Sequence, residues 1–317
     1  MKENKSITNS KYTYIGISIV FYYLVWSVVA YFFKDILNPT TQSFKSVIKL
    51  FILMTVSSFM TLFYPCIKFT RDRSLDFRKT FMLNSTSQNQ FILSTIIFIS
   101  FNGIAAFLLL TQDIILNKIG IQFEMNDYMI SENILAVVVL VLTVGILIPF
   151  GEELFFRGFL IKGMESISEN LAIIVSAFYF AIIHSNPHRF ITLVLFGAIF
   201  GLIVKYTNSI IPGVILHTLN NSVFEIYTYS QGKSAMLIQY KDISSSPVNI
   251  MDNYSYLFSV FLFSSIACIL SLRKLKEISN IPKYSSDKIY DGDKTKGIIT
   301  ILLALAFSMG IFLFRVT

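Results

Sequence analysis

The sequence predicts an all-α protein, a polytopic bundle of about eight or nine transmembrane helices. Hydrophobic residues make up 54% of the 317 residues and charged residues only 14%. The mean hydropathy is +0.64. A soluble domain this apolar would have too few polar side chains to cover its surface. In addition, several apolar runs reach the ~20 residues that a helix needs to cross a bilayer. The composition therefore indicates a multi-pass membrane protein.

The apolar runs give the predicted spans in order. They are Thr13–Phe33, Val47–Ile67, Phe91–Thr111, Ile134–Leu160, Leu171–Ser185, Phe190–Tyr206, Ile210–Tyr229, Tyr254–Leu272 and Gly297–Phe314. The first run is long for a signal-peptide core and lacks a small-residue cleavage site, so we interpret it as a retained span. The fifth and sixth runs are short, and the tight segment "SNPHR" joins them.

The basic residues indicate the orientation of these spans. With the N-terminus in the cytoplasm, most of the 26 Lys and Arg residues fall on the inner side. They include the cluster at residues 68–79 and the segment Arg273–Lys296, which we expect to be a solvated loop. The positive-inside rule therefore favours a cytoplasmic N-terminus. The net charge of +7 serves topology and contact with the lipid bilayer, so no nucleic acid partner is expected.

The fourth run, which contains "PFGEELFFRGFL", is too long for one span. Residues Ile134 to Lys162 would extend ~43 Å as a helix, beyond a hydrocarbon core of ~30 Å. Glu152 is then expected roughly 15 Å inside the membrane. Pro149 and Gly151 predict a kink, with neighbouring helices satisfying the freed carbonyl group.

Two histidines on other spans are predicted to reach a similar depth. His184 falls ~20 Å into the fifth span and His217 ~10 Å into the seventh. Ionisable side chains inside a membrane are costly and usually mark pathways or active sites. His188 lies in the tight turn, where a surface role is expected.

Helical spacing assigns partners to these groups. Glu153 and Arg157 are four residues apart, close enough for an ion pair that could be purely structural. Glu152 is rotated ~100° from Glu153, so the two carboxylates are not expected to share one partner. We therefore predict that Glu152 faces His184 and His217. Asn221 projects beside His217 on the same helix face.

Such a set suits the hydrolysis of an amide bond. A glutamate can take a proton from water, and a histidine can relay it. An asparagine and a second histidine can donate hydrogen bonds to the developing oxyanion. Alternatively, Glu152, His184 and His217 could hold a catalytic Zn²⁺ ion with one open water position.

Three motifs resemble those of the CPBP family of intramembrane proteases, also called the Abi or CAAX-protease-like family. The family motifs EExxxR, FxxxH and HxxxN/D are matched in order by "EELFFR" (Glu152, Glu153, Arg157), "FAIIH" (Phe180, His184) and "HTLNN" (His217, Asn221). The resemblance divides the chain into spans one to three with a basic loop (1–133), a protease core (134–229), and C-terminal spans with a charged loop (230–317).

The resemblance implies an intramembrane catalytic cavity that opens toward the cytoplasm. It implies that Glu152 and His184 activate water, that His217 and Asn221 form an oxyanion hole, and that Glu153 and Arg157 brace the first motif. It leaves open a Zn²⁺-dependent or a metal-free glutamate mechanism. We expect a cell-membrane enzyme, cleaving a membrane-associated peptide or small membrane protein from the cytoplasmic side.

The biological setting and two other functions stay open at this point. Lys-, Asn- and Ile-rich usage suggests a bacterial source, and the resemblance then points to peptide maturation or bacteriocin immunity. A non-catalytic immunity or scaffold protein that binds a peptide or a membrane partner is one alternative. A proton-coupled transporter is physically allowed. It is disfavoured because the sequence has no evident inverted repeat of broken helices.

Overall fold

The structure is a computed structural model that describes residues 11–33, 36, 44–120, 134–245, 247–279 and 294–316. For residues 44, 228, 231–245, 247–253, 294, 296 and 312–316 it describes the backbone alone. The N-terminal lysines at positions 2 and 5, on which the predicted orientation partly rests, lie outside the described residues.

Within the described residues every element is helical. The helices are α1 (Lys11–Phe32), α2 (Lys45–Asp72), α3 (Gln88–Lys118), α4 (Ile134–Met164), α5 (Glu169–Ile183), α6 (Phe190–Thr207), α7 (Ile211–Ser245), α8 (Pro247–Glu277) and α9 (Lys294–Val316), with a single turn at Phe77–Thr80. Among the described helices, α1 to α4, α6 and α8 are long and apolar enough to cross a membrane. The protein is therefore an all-α, multi-pass membrane protein, as the composition predicts.

Each predicted span overlaps one of these helices, but several helix ends differ from the prediction. Helix α7 does not end at Tyr229 but continues to Ser245. Helix α8 continues to Glu277, so the predicted loop from Arg273 begins helical, and residues 280–293 lie outside the described part of the chain. Bilayer thickness limits the apolar part of a helix and not its polar continuation, which explains why hydropathy misplaces these ends.

Local sequence explains several of the helix ends. Ser87 caps α3 in a capping box with Gln90, in which each side chain meets the other residue's backbone N–H. Ser168 caps α5, where its hydroxyl accepts from the N–H of Leu171. Helix α6 ends at Asn208, which adopts the left-handed conformation that asparagine tolerates. These caps fix where α3 and α5 begin and where α6 ends.

Close helix pairs form the frame of the bundle. In α6, Gly197 lies so close to α5 that an added Cβ would meet the backbone of Ala177 at 2.7 Å. In α3, Gly103 faces Ser264 of α8, and Phe107 packs on the Phe258 ring. Small residues at helix interfaces let backbones approach within van der Waals contact, which drives helix association in lipid.

The bundle has two ends that differ in charge and contacts. The first is here called the basic end. Helices α1 and α7 begin there, and α2, α4, α6 and α8 end there. Hydrogen bonds tie it together, including Lys11 to Ser166 and Asn84 to the carbonyl of Asn208. At the other, here called the turn end, residues 184–189 connect α5 to α6. Of the predicted site residues, His184 lies at the turn end and the others lie between the two ends.

Candidate active site

Helix α4 carries the first motif and is irregular around it. A short α-helical segment, Ile148–Glu152, is flanked by π-helical stretches at Val141–Leu147 and Glu153–Ile161. The backbone N–H of Ile148 donates to the carbonyl of Thr143, five residues earlier. The predicted kink at Pro149 and Gly151 is thus absorbed as wider helical turns, a form that is rare and frequent at functional sites.

Pro149 leaves one backbone carbonyl of α4 without its helical donor, and a side chain of α7 supplies the missing hydrogen bond. Proline has no N–H, so position 149 cannot donate to Val144, its partner in the π register. The side-chain amide of Asn221 on α7 donates to that carbonyl at 3.2 Å. Asn221 also accepts a hydrogen bond from the amide of Asn220 at 3.1 Å. These two bonds orient the Asn221 amide and leave its second N–H to donate elsewhere.

The centre of the site is a buried cluster of four charged or ionisable groups. One oxygen of Glu153, Oε1, lies 3.0 Å from Nη1 of Arg157 and 3.0 Å from Nδ1 of His217. The opposite ring nitrogen of His217, Nε2, lies 3.7 Å from Oε2 of Glu152. The side chains of Glu153 and Arg157 are fully buried, whereas that of Glu152 is 9% exposed.

The contacts of this cluster confirm the predicted ion pair and correct the prediction that the two carboxylates share no partner. Glu153 and Arg157 form the ion pair that their spacing predicts. The expectation that the two carboxylates share no partner is wrong, because His217 contacts both of them. The ~100° rotation assumed a regular α-helix. The wider π-helical turns that begin at Glu153 change the angle between successive side chains, so the two carboxylates can flank one ring.

Arg157 lies beneath this cluster in an aromatic box. Its guanidinium carbon is 4.5 Å from the ring centre of Phe180, 5.6 Å from that of Phe200 and 6.0 Å from that of Phe156. Cation–π contacts of this kind stabilise a desolvated guanidinium. Among the described residues its nitrogens make no well-aligned hydrogen bond, so the ion pair with Glu153 and the rings hold it in place.

His184 lies just beyond the last residue of α5 and is exposed. Its Nδ1 is 2.7 Å from the carbonyl oxygen of Phe180, which cannot donate, so Nδ1–H is the donor. In the neutral ring this leaves Nε2 as an acceptor. Phe180 lies between the two histidines, 4.5 Å from the ring of His184 and 6.0 Å from that of His217. His184 forms no ion pair with Glu152 or Glu153, so it borders the cluster without touching it.

His188 has a structural role that the sequence did not predict. We expected a surface role, but its Nε2 lies 2.5 Å from Oδ1 of Asp113 on α3. The neighbouring residue on α3, Gln112, donates from its amide to the backbone carbonyl of His188 at 2.6 Å. Asp113 and Gln112 lie outside every motif, and no local pattern distinguishes them. Only the tertiary packing of α3 against the turn identifies them.

The predicted Zn²⁺ ligands do not form a metal site in this arrangement. Across the described residues no group of three His, Cys, Asp or Glu side chains is placed to hold a metal ion. Of the predicted set, His217 has Nδ1 engaged by Glu153, and His184 has Nδ1 engaged by the carbonyl of Phe180. The Zn²⁺ ion therefore stays a prediction, and the function proposed below uses no metal.

Comparison with known protein families identifies this part of the chain. Residues 134–223 match the family model described as type II CAAX prenyl endopeptidase Rce1-like, so this segment is similar to that family. All six predicted site residues lie within the match. No curated protein and no solved structure matches the chain. The resemblance stated from the three motifs is thus confirmed, while the division of the chain into three parts stays a prediction.

Proposed function

We propose that this protein is an intramembrane endopeptidase that hydrolyses a peptide bond in a membrane-associated peptide or small membrane protein. The family match supports a CAAX-protease-like endopeptidase. The observation that carries the proposal is the position of His217, whose two ring nitrogens face Glu153 and Glu152. The first and third motifs therefore meet at His217, and Phe180 of the second motif lies beside it, 6.0 Å from the His217 ring centre.

Glu152 is the group that activates water in this proposal. Its side chain is the accessible one of the two carboxylates, and its Oε2 faces the His217 ring without a hydrogen bond. A water molecule that donates to Glu152 transfers a proton to it while its oxygen attacks the peptide carbonyl. When the C–N bond then breaks, the leaving nitrogen takes that proton from Glu152. The free Nε2 of His184 is a second acceptor at the rim for that proton. A positioned acid–base group typically contributes ~10²–10⁴-fold to a rate.

His217 and Asn221 stabilise the negative charge that develops on the peptide oxygen. Asn221 has one amide N–H left after donating to the Val144 carbonyl. His217 donates from Nδ1 to Glu153, so it needs a proton on Nε2 as well to donate to an oxyanion. Loss of one such donor costs ~10²–10³-fold in rate.

Glu153 and Arg157 position His217 and balance its charge. When both ring nitrogens of His217 are protonated, its charge and that of Arg157 offset the two carboxylates. A buried cluster without net charge is far less costly in hydrocarbon than one with an unpaired charge. Glu153 and Arg157 are thus positioning residues, which act through His217 and do not touch the substrate.

The test is a comparison of Glu152→Gln and His184→Ala with a control in the same membrane. We expect Glu152→Gln to lose activity ~10²-fold or more at normal protein abundance. Glu169→Gln is the control, since Glu169 pairs with Lys205 at the basic end and is 55% exposed. Full function of both Glu152→Gln and His184→Ala in a cell-based assay would show that the protein acts without hydrolysis. It would favour the non-catalytic immunity or scaffold function instead.

We propose a bacterial setting, in which the peptide is a signal precursor that is matured or a bacteriocin to which the cell is immune. The Lys-, Asn- and Ile-rich composition supports a bacterial source and makes a prenylated substrate a poor fit. Deletion of the coding sequence, followed by mass spectrometry of secreted and membrane peptides, tests this setting. An uncleaved precursor should accumulate in the deletion strain, and Glu152→Gln should not restore its cleavage.

A further inference from the structure

Gly213 of α7 packs directly against the Glu153 carboxylate. A Cβ atom added at Gly213 would lie 2.9 Å from Oε2 of Glu153 and 3.5 Å from its carboxylate carbon. It would also lie 3.3 Å from the ring of Phe200, one wall of the aromatic box around Arg157. Non-bonded carbon and oxygen atoms in proteins stay ~3.3 Å or more apart even in close C–H···O contacts. Position 213 can therefore accept no side chain while Glu153 keeps its position.

Gly213 and His217 place two successive turns of α7 against this one carboxylate. The two residues are four positions apart and lie on one face of the helix, which Asn221 continues one turn later. Oε1 of Glu153 is 3.0 Å from Nδ1 of His217, while Oε2 lies against Gly213. The third motif thus extends one turn upstream, to the glycine of "PGVILHTLNN".

The first turn of α7 is a favourable place for a negative charge. The helix begins at Ile211, so Gly213 is its third residue, and the N–H groups of the first turn have no carbonyl partner within the helix. These N–H groups form the positive end of the helix dipole. Because Gly213 lacks a Cβ, Oε2 of Glu153 can approach them closely. Oε2 accepts no hydrogen bond from the described residues, so its approach to this turn contributes to stabilising the carboxylate.

The carboxylate cannot move away from an added methyl group without cost. Glu153 is fully buried, and its Oε1 contacts both Arg157 and His217 at 3.0 Å. An alanine at position 213 would displace Oε2 by ~0.4 Å or more. Since the two oxygens are rigidly joined, this displacement shifts Oε1 relative to Nδ1 of His217. A side chain added at Gly213 is thus felt through Glu153 at the His217 ring.

We propose that Gly213 is a positioning residue, which holds the Glu153 carboxylate where it orients His217. Gly213 contacts no reacting atom and acts through Glu153. Its effect on turnover rests on the proposed peptidase function, whereas its effect on the contact between Glu153 and His217 does not. A misplacement of ~1 Å in catalytic geometry can cost ~10²-fold in rate, and the displacement here is smaller. We therefore expect Gly213→Ala to lower turnover ~10-fold or more.

The first arm of the experiment measures the contact itself, by magic-angle-spinning NMR of the protein with ¹⁵N-labelled histidine in lipid bilayers. The sequence has three histidines, so the ring signals are few, and His217→Gln identifies the signal of His217. A charge-assisted hydrogen bond to Glu153 should move the Nδ1–H proton of His217 downfield. We expect Gly213→Ala to move this resonance upfield, toward its position in Glu153→Gln. An unchanged resonance in Gly213→Ala would overturn the proposal.

Gly201→Ala is the matched control for the added methyl group. A Cβ atom at Gly201 would also have its nearest contact at 2.9 Å, but with the side chain of Ile173, outside the cluster. We expect Gly201→Ala to keep the wild-type resonance of His217 and the wild-type turnover. An equal loss in the two glycine variants would show that Gly213 serves helix packing alone.

The second arm tests whether Gly213 acts through Glu153. Gly213→Ala is introduced into the wild type and into Glu153→Ala, and turnover is measured as cleavage of the precursor that accumulates in the deletion strain. We expect a loss in the wild type and no further loss in Glu153→Ala, because residues that share a contact do not give additive effects. The midpoint of unfolding in sodium dodecyl sulfate should follow the same pattern.

The two arms separate the role of Gly213 from the peptidase function. Additive losses from Gly213→Ala and Glu153→Ala would refute the role of Gly213. A wild type that cleaves no precursor but shows the expected resonances would refute the peptidase function, and it would still support the positioning of Glu153 by Gly213.

Discussion

The ion pair of Arg157 and Glu153 gives the sharpest test of how the site is held together. Arg157→Met leaves the Glu153 carboxylate buried with His217 as its remaining partner, since both side chains of the pair are fully buried. Breaking a buried pair from one side costs ~3–5 kcal/mol of the free energy of unfolding. We expect a loss of this size, together with a loss of activity, because His217 loses the charge balance that holds it.

The double variant Glu153→Gln/Arg157→Met distinguishes the energy of the ion pair from the packing energy of the two side chains. It removes both charges, so it should be more stable than the sum of the single effects by at least ~2 kcal/mol. Unfolding is measured by titration with sodium dodecyl sulfate in detergent micelles. The control pair is Lys162 and Glu165, whose side chains are 12% and 23% exposed and whose coupling should stay within ~1 kcal/mol. Additive effects at Glu153 and Arg157 would refute this account.

Three further predictions concern the frame of the site. Asn221→Ala should destabilise the protein by ~1–3 kcal/mol, because it leaves the carbonyl freed by Pro149 unpaired. Pro149→Ala restores a backbone N–H donor for the Val144 carbonyl, so it should reduce the destabilisation that Asn221→Ala causes. Additive changes in unfolding free energy for Pro149→Ala and Asn221→Ala would contradict this pairing of Asn221 with the carbonyl. Asp113→Ala should lower turnover by up to ~10²-fold by releasing the turn at His188, whereas Asp113→Asn should keep most of it. Equal rates for the two Asp113 variants would rule this out. Gly197→Leu should cost ~1–3 kcal/mol or more in the same unfolding assay, since its Cβ meets the facing helix at 2.7 Å.

Much of the fold follows from the sequence because lipid imposes a simple rule. Within hydrocarbon the backbone must satisfy its own hydrogen bonds, so apolar runs of the right length become helices. The run that contains Glu152 is too long for one span, which predicts a position inside the membrane for the glutamate, and the structure buries its side chain within the bundle. Hydropathy does not report where a helix ends beyond its apolar run, so the predicted end of α7 at Tyr229 is wrong and the helix continues to Ser245.

The candidate site was predictable in its members and less so in its contacts. The motifs single out Glu152, His184 and His217, and the structure brings Glu152 and His217 within 3.7 Å. The sharing of His217 by both carboxylates depends on the π-helical turn at Glu153, and no periodicity rule reports such a turn. Asp113 was missed for a different reason, since its contact with His188 spans 75 residues of sequence and carries no local signal.

The most direct test of the central claim is peptide cleavage by the purified protein in lipid nanodiscs. The membrane peptides that accumulate in the deletion strain are supplied as substrates, and the products are read by mass spectrometry in water enriched in ¹⁸O. The account predicts a cleaved peptide with ¹⁸O in its new carboxyl group for the wild type, and a rate reduced ~10²-fold or more for Glu152→Gln. Cleavage by Glu152→Gln at the wild-type rate would contradict it.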